Sequence, residues 1–396
     1  MYKIGDNIIS SLGFTTDENF HAVIDGMTGI KHYDEGVFDI PEPFMASLID
    51  KERLKEEFFK ISSVDNYTNL EKASILSVFL ANKQAQIDLS GEKTIFILST
   101  TKGNVDLLDV RHEKVNNSVF LWRTAELITS FFGNQNTPIV ISNACISGAA
   151  AQIEAMRVLQ LCNYDYAVVV GVDFLSKFII SGFQSFKALS QELCRPFDKK
   201  RCGLNLGEAA ATMIFSSEDK GDKKLEETKR VKLVEGAVRN DACHISAPSR
   251  TGEGSFRALK NILHNNSNLY TQYSILNSQI AFINAHGTAT QYNDAMEMNA
   301  IVRAGLENIP VNSLKSYFGH TLGAAGVVET IISLRALSEG IILKTLGFEN
   351  KDPIIINDKL FTLNLLTENS KTDKKYFIKM MSGFGGVNVA LLFATI

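Results

Sequence analysis

One local arrangement occurs twice in this chain: a short apolar strand runs into a loop of polar residues, and a helix follows. In the first half, Ile139–Ile141 leads into the polar residues 142–145, and apolar residues then recur at helical spacing between Ala149 and Leu159. A second apolar run, Tyr166 to Val172, follows the helix. A strand–helix–strand unit pairs its strands in parallel through a right-handed crossover, so this pattern predicts an α/β fold.

The second half repeats the arrangement with different residues. The apolar run Ile280–Ile283 leads into Asn284-Ala285-His286-Gly287, and Ile309 to Val311 precedes Lys315 and the Gly/Ala-rich residues 319–326. An apolar helical stripe follows at Val327, Ile331, Leu334 and Leu337. Ligand sites in open α/β sheets lie at the carboxyl ends of strands, so we expect the chemistry of this chain in these loops.

The most polar stretch, Ser216 to Arg230, divides the two halves. We interpret it as the surface connection between an N-terminal half, residues 1–228, and a C-terminal half, residues 229–396. The alternative is a solvated loop inside one domain. Near the C-terminus, two β-rich runs flank the glycine-rich residues 383–386, which predicts a hairpin.

Composition excludes several classes of protein. The 396 residues correspond to roughly two to three domains. There are 40 Lys and Arg against 44 Asp and Glu, and no long basic run, which argues against a nucleic-acid partner. No run approaches the roughly 18 apolar residues of a membrane span, and the first residues lack a signal-peptide pattern. Five cysteines without metal-ligand spacing predict reduced thiols in a cytoplasmic protein.

Cys145 is the candidate nucleophile among the five cysteines. It follows a predicted strand and precedes a helix, whose N–H groups and dipole are expected to favour the thiolate. The alternative is a buried structural thiol, since free cysteine is among the most buried residue types. The other cysteines lack this setting and are expected to be structural: Cys162, Cys194, Cys202 and Cys243.

Two histidines occupy comparable loops in the second half. His286 follows a predicted strand and precedes Thr288 and Thr290, whose hydroxyls suit a polar ligand, and His320 follows a glycine before the next helix. Each could instead be a hydrogen-bonded core histidine. No histidine pair has the spacing of zinc ligands, so no metal site is predicted.

Two further features accompany these residues. Lys315 lies in a small, apolar stretch, and Glu329 on the following helix is its expected ion-pair partner. The turn Gly383-Phe384-Gly385-Gly386 could aim a backbone N–H at a developing oxyanion, or it could be a simple hairpin turn.

Taken together, these motifs resemble one enzyme family. They are Asn143-Ala144-Cys145, residues 284–290, residues 315–326 and residues 383–388, joined by Arg195–Asp198 and Gly207–Ala209. In this order and spacing they resemble the β-ketoacyl-acyl-carrier-protein synthases, and more narrowly the elongating condensing enzymes with a Cys-His-His triad. The resemblance extends from about residue 139 to the C-terminus.

The resemblance implies a thiolase-like fold of two similar α/β halves stacked in five αβαβα layers. It implies an acyltransferase without cofactor that condenses malonyl-carrier protein with an enzyme-bound acyl group in fatty-acid or polyketide/polyene-type elongation. The partners would be acyl carrier protein, carrying acyl and malonyl groups on phosphopantetheine, and a second subunit in a homodimer or in a heterodimer with a related ketosynthase.

The resemblance also implies roles for individual residues. Cys145 would carry the acyl group as a thioester, and His286 and His320 would assist decarboxylation and hydrogen-bond the enolate oxygen. Phe384 would gate the acyl channel, and its N–H would form an oxyanion hole with that of Cys145. Lys315, paired with Glu329, would hold the histidine environment. The hydroxyls of Thr288 and Thr290 would bind the phosphopantetheine arm.

Some positions depart from the family pattern. The first strand looks abbreviated to Met1–Gly5, and Arg201-Cys202-Gly203 stands where Arg-Asp-Gly is common. Ile146 replaces the usual alanine after the nucleophile, and we expect it to narrow or redirect the acyl pocket.

Two other functions compete with the condensing enzyme. A non-catalytic chain-length partner would lack the nucleophile, so Cys145 favours the enzyme. A thiolase would need a second cysteine near the C-terminus, and none follows Cys243. Carrier proteins are acidic, so Lys199-Lys200-Arg201 is the candidate docking patch, with an ordinary solvated turn as the alternative.

Overall fold

The structure, a computed structural model, describes residues 1–108, 116–218, 230–264 and 277–396. Within these ranges the α-helices are α1 (Thr16–Ile24), α2 (Lys51–Phe59), α3 (Asn69–Ala85), α4 (Leu121–Phe131), α5 (Ser147–Gln160), α6 (Lys177–Ser185), α7 (Glu253–His264), α8 (Gln291–Arg303), α9 (Lys315–Phe318) and α10 (Ala325–Ser338). Short 3-10 helices span Val37–Asp39, Val105–Leu107, Asn117–Val119 and Leu322–Ala324.

The strands are β1 (Tyr2–Ser10), β2 (Lys31–Tyr33), β3 (Phe44–Ser47), β4 (Thr94–Ser99), β5 (Ile139–Ile141), β6 (Tyr166–Asp173), β7 (Leu206–Gly207), β8 (Ala209–Ser216), β9 (Val231–Asn240), β10 (Ile280–Asn284), β11 (Pro310–Asn312), β12 (Ile341–Ile342), β13 (Ile354–Ile356), β14 (Lys359–Phe361), β15 (Asn364–Leu365), β16 (Ser370–Lys371), β17 (Tyr376–Gly383) and β18 (Val387–Thr395).

Two sets of five strands have the same topology. Their spatial orders are β5-β4-β6-β8-β1 and β11-β10-β17-β18-β9, which is 3-2-4-5-1 when each set is numbered along the chain. In each set the first three strands are parallel and the last two antiparallel to their neighbours. The sets join where Tyr2 and Lys3 pair with β9, and β15 extends the second set. The repeated arrangement in the sequence is therefore a repeated topology.

The helices form three layers around these strand sets. The central helices α5 and α10 share one core cluster with strands of both sets, such as β6 and β17. Helices α3 and α4 pack on the outer face of the first set, and α7 and α8 on that of the second. Helix α10 is apolar and buried around nearly its whole circumference, as a central-layer helix must be. The α/β class and the five αβαβα layers are confirmed.

The central helices approach each other through glycines. A Cβ built on Gly148 would lie 2.7 Å from the carbonyl oxygen of Gly323, and one on Gly326 would lie 2.3 Å from the amide nitrogen of Ala149. Since real side chains do not occupy such distances, glycine is needed at both positions. This contact sets the start of α5 against the start of α10, and the candidate site lies there.

Two expectations about chain organisation have different outcomes. The first strand is not abbreviated: β1 runs to Ser10 because Ile8 and Ile9 are fully buried and its whole length pairs with β8. The hairpin around residues 383–386 is present as β17 and β18. The proposed boundary between residues 228 and 229 lies outside the described residues. No helix in the described ranges is both long enough and apolar enough to cross a membrane.

Candidate active site

Cys145 lies in the short connection between β5 and α5. Ala144, directly before it, has φ +47°, a left-handed conformation that costs an L-residue roughly 1–2 kcal/mol. Ser147 stabilises this turn, because its Oγ donates to the carbonyl of Ala144 at 2.6 Å and accepts the N–H of Asn143 at 2.8 Å. The strained turn therefore places the thiol at the edge of the central layer.

The structure brings the three predicted reactive residues together. His286 follows β10, and His320 follows α9. The Sγ of Cys145 and one ring nitrogen from each histidine all lie within 4.8 Å of one another. The two imidazoles pack edge to face with their centroids 5.0 Å apart. Residues separated by up to 175 positions thus form one compact, buried cluster.

Burial controls the charge of both histidines. Desolvation, followed by the charge of Lys315, holds the pKa of His286 well below its ordinary range. The same two causes, in the same order, hold the pKa of His320 low. Within the described part of the chain, Nδ1 of each ring is buried and has no hydrogen-bond partner. Both imidazoles are therefore neutral at physiological pH, and each can accept or donate a proton.

The expectation that Cys145 is a thiolate is wrong. Desolvation raises the pKa of this thiol to about 11, although Lys102 and Lys315 act in the opposite direction. The stabilisation of a thiolate by the N–H groups and dipole at the start of α5 does not outweigh the cost of burying a negative charge. The thiol is consequently protonated at neutral pH, and its activation requires a base, which the adjacent neutral imidazoles can supply.

The ion pair expected between Lys315 and Glu329 is present and fully buried. Lys315 Nζ also donates to the carbonyl oxygen of His286 at 2.9 Å, so this pair supports the histidine backbone. A second lysine that sequence reasoning missed, Lys379 on β17, contacts the other oxygen of Glu329 at 2.5 Å. A lysine inside an otherwise apolar strand was the available signal.

Two carboxylates on α8 were also missed. Glu297 accepts the N–H groups of His286 and Gly287, both at 2.7 Å, and Asp294 accepts that of Thr288 at 3.0 Å. Burial raises the pKa of Glu297 to about 7 and that of Asp294 to about 6. Their spacing places both on the buried face of a helix that starts just after the histidine motif, which is the signal that could have found them.

The hairpin turn holds Phe384 against two other phenylalanines. Phe384 is 41% exposed, its ring stacks on Phe183 with centroids 6.0 Å apart, and it meets Phe186 edge to face at 5.6 Å. A Cβ on Gly383 would lie 3.2 Å from the amide nitrogen of Cys145, so the turn lies directly against the nucleophile's backbone.

The two threonines lie together at the start of α8. Thr288 is buried, Thr290 is half-buried, and their hydroxyl oxygens are 3.0 Å apart. They form a paired hydroxyl surface next to His286 along the chain.

Ile146 is fully buried in the core between the strand sets, whereas Cys145 belongs to a separate cluster with Ile179 and Phe183. The effect of Ile146 on the acyl pocket stays a prediction. The expectation that Arg201 belongs to a basic docking patch is wrong. Arg201 is buried and pairs with Asp352 at 2.5 Å, which removes it from the basic docking patch and leaves exposed Lys199 and Lys200.

The duplicated topology defines a thiolase-like fold, and this fold holds a buried cysteine–histidine cluster. Comparison with known proteins supports this assignment of the fold. The model of the β-ketoacyl synthase N-terminal domain matches residues 5–220, and that of the C-terminal domain matches residues 231–349. The chain belongs to the β-ketoacyl synthase family.

Individual relatives are similar over different lengths. The mitochondrial 3-oxoacyl-[acyl-carrier-protein] synthase of Arabidopsis thaliana is 32% identical over 67% of this chain, and the match spans 58% of that relative's length. The 3-oxoacyl-[acyl-carrier-protein] synthase 2 of Vibrio harveyi is 27% identical over 99% of this chain and 97% of its own. A ketosynthase in complex with its chain length factor, from Xenorhabdus doucetiae, has the same fold, with a TM-score of 0.82, 23% identity and coverage of 100% and 98%.

Proposed function

We propose that this protein is a β-ketoacyl-acyl-carrier-protein synthase that catalyses decarboxylative Claisen condensation. The observation that carries this proposal is the cluster of Cys145, His286 and His320, whose reactive atoms lie within 4.8 Å of one another. Family membership and the names of the relatives support it.

In the first half-reaction, an acyl group moves from carrier protein to the enzyme. A neutral imidazole accepts the proton of the Cys145 thiol as Sγ attacks the acyl thioester. The bond from the acyl carbon to the carrier's sulfur breaks, and the imidazole returns the proton to that leaving sulfur. The low pKa of both histidines supports this step, because a neutral ring is ready to accept the proton.

In the second half-reaction, malonyl-carrier protein loses CO₂. The electron pair of the broken carbon–carbon bond remains on the thioester and forms an enolate. Two neutral imidazoles can donate N–H bonds to the enolate oxygen, and loss of one such donor costs about 100- to 1,000-fold in rate. The enolate carbon attacks the Cys145 thioester and the carbon–Sγ bond breaks. The Cys145 thiolate then takes up one proton from solvent through a neighbouring imidazole, because its original proton left with the carrier thiol. The product is a 3-oxoacyl-carrier protein.

The remaining site residues have supporting roles in this proposal. The N–H groups of Cys145 and Phe384 form the oxyanion hole, which the close approach of Gly383 to the Cys145 nitrogen supports. Stacking of Phe384 on Phe183 supports its role as a gate of the acyl channel. The paired hydroxyls of Thr288 and Thr290 bind the phosphopantetheine arm.

The proposal includes partners and location. Acyl carrier protein docks at Lys199 and Lys200, and the protein is cytoplasmic. A second subunit completes a homodimer or a heterodimer with a related ketosynthase, as the structural relative with a chain length factor supports. The halves 1–228 and 229–396 share one active site. A non-catalytic chain-length role is disfavoured, because Cys145 lies together with both histidines.

The test is acylation of the purified protein by a panel of acyl-carrier proteins, followed by peptide-resolved mass spectrometry. We expect the acyl mass on Cys145, and we expect Cys145→Ala to form no 3-oxoacyl-carrier protein when malonyl-carrier protein is added. Cys194→Ala is the matched control, because burial also raises the pKa of Cys194 to about 11. Condensation by Cys145→Ala at the rate of Cys194→Ala would disprove the nucleophile assignment.

A further inference from the structure

One buried cation near the site has no role in the mechanism above. Lys379 lies on β17, and its side chain is fully buried. Its Nζ contacts Glu329 at 2.5 Å and donates to the carbonyl oxygen of Ala285 at 3.4 Å. Lys315 holds the other oxygen of Glu329, so two lysines share one carboxylate.

Glu329 alone cannot neutralise both lysines, and Glu297 is the other carboxyl group whose charge acts on Lys379. Burying an uncompensated charge is costly, and an apolar side chain of similar length would fill the same space without that cost. Among the described residues, the charged or titratable neighbours of Lys379 are Glu329 on α10, Lys315 on α9, Glu297 on α8, His286 after β10 and His320 after α9. Desolvation lowers the pKa of Lys379 to about 8, although Glu329 counteracts it.

The contacts of Lys379 converge on the backbone at His286. Lys379 binds the carbonyl of Ala285, and Lys315 binds that of His286. Glu297 binds the N–H groups of His286 and Gly287. Lys379, Lys315 and Glu297 therefore bind four successive backbone groups around His286, which are two carbonyls and two N–H groups. Lys379 is also one of the positive charges that lower the pKa of His286.

We propose that Lys379 is a positioning residue that acts through Glu329 and the Ala285 carbonyl to orient the His286 imidazole. This proposal rests on the proposed function, because it assigns Lys379 to the decarboxylation step. Its charge matters as well as its length: above pH 8 the amine loses its proton and the ion pair with Glu329 weakens.

The experiment compares Lys379→Met with Lys374→Met. Lys374 is a matched control, since its Nζ donates to the carbonyl of Ile280 at 3.2 Å, at the opposite end of β10. We expect kcat for malonyl decarboxylation to fall about 10- to 100-fold in Lys379→Met, with KM within about twofold of wild type. In wild type and Lys374→Met, we expect kcat to fall as pH rises through about 8, because Lys379 loses its proton there. In Lys379→Met we expect no such fall in kcat.

A spectroscopic readout tests the effect on His286 directly. NMR titration of histidine-labelled protein, with the His286 signal assigned from His286→Gln, should show a higher pKa for His286 in Lys379→Met than in Lys374→Met. If Lys379→Met does not fold, Lys379→Gln, which keeps a neutral N–H donor, takes its place in both measurements.

Unchanged kinetics and an unchanged His286 titration would overturn the assignment of Lys379. Failure of the proposed function is a separate result, visible as absence of decarboxylation by wild-type protein. In that case the His286 titration still decides whether Lys379 acts on this imidazole.

Discussion

At the scale of residues, burial determines the chemistry of the site. It raises the pKa of Cys145 to about 11 and holds the pKa values of both histidines low, so all three groups are neutral near pH 7. At pH 7.5 a thiol with that pKa is thiolate on the order of 0.03% of the time. Loss of the thiol proton must therefore accompany any nucleophilic attack by Cys145.

This state of Cys145 predicts how the thiol reacts with a small alkylating agent. Between pH 7 and 9.5 we expect the iodoacetamide rate constant of Cys145 to rise about tenfold per pH unit, because the thiolate fraction does so. Peptide-resolved mass spectrometry measures it. A rate constant that is already independent of pH at 7 would show that the thiolate is stabilised after all.

At the scale of elements, glycine contacts between the central helices place the site. The start of α5 carries Cys145, and the start of α10 follows His320, so their spacing sets the distance between thiol and imidazole. Gly326 faces the backbone at Ala149, where no side-chain movement could relieve a clash. Packing of two helices is thus a condition for the geometry of the site.

We therefore expect Gly326→Ala to lower the free energy of unfolding by about 1–3 kcal/mol, through overpacking. The matched control is Gly182→Ala on α6, where an added Cβ meets nothing within 4 Å. That substitution should raise the free energy of unfolding by up to about 1 kcal/mol, because alanine favours the helix. Urea denaturation measures both. Equal effects at the two glycines would contradict this account of the helix contact.

At the scale of the whole molecule, the two halves share a core and cannot be separated without exposing it. One apolar cluster contains α5, α10 and strands from both sets. Polar contacts also cross between the halves: Asp173 on β6 accepts the N–H of Gly323 at 2.6 Å, and Lys199 donates its N–H to Asn350 at 3.0 Å. The topology is duplicated, but the largest apolar cluster is shared by both halves.

A core cluster that both halves share predicts a single unfolding transition. Far-ultraviolet and near-ultraviolet circular dichroism should give the same midpoint, and Gly326→Ala should shift both together. Two separated transitions, or a shift in only one of them, would mean that the halves unfold independently.

Much of the fold and of the reactive set was predictable from local patterns. Strand–helix spacing predicted the α/β class, and the residues at strand ends pointed to Cys145, His286 and His320. Lys379 was missed because a lysine within a strand acquires its partner only when β17 lies beside β10, against α10. Glu297 was missed because its acceptor role requires contact with the His286 backbone. Arg201 was misjudged because its ion-pair partner, Asp352, comes from a distant segment.

The sequence by itself determined which residue types stand at the ends of the repeated strands, since strand and helix periodicities are local properties of the chain. Only the tertiary structure decided the charge states. The pKa of Cys145 depends on how completely distant segments exclude water from it. The low pKa of His286 likewise comes first from burial, and then from the charges of neighbours that include lysines on α9 and β17. Desolvation and long-range charge are sums over the folded molecule, so no local pattern contains them.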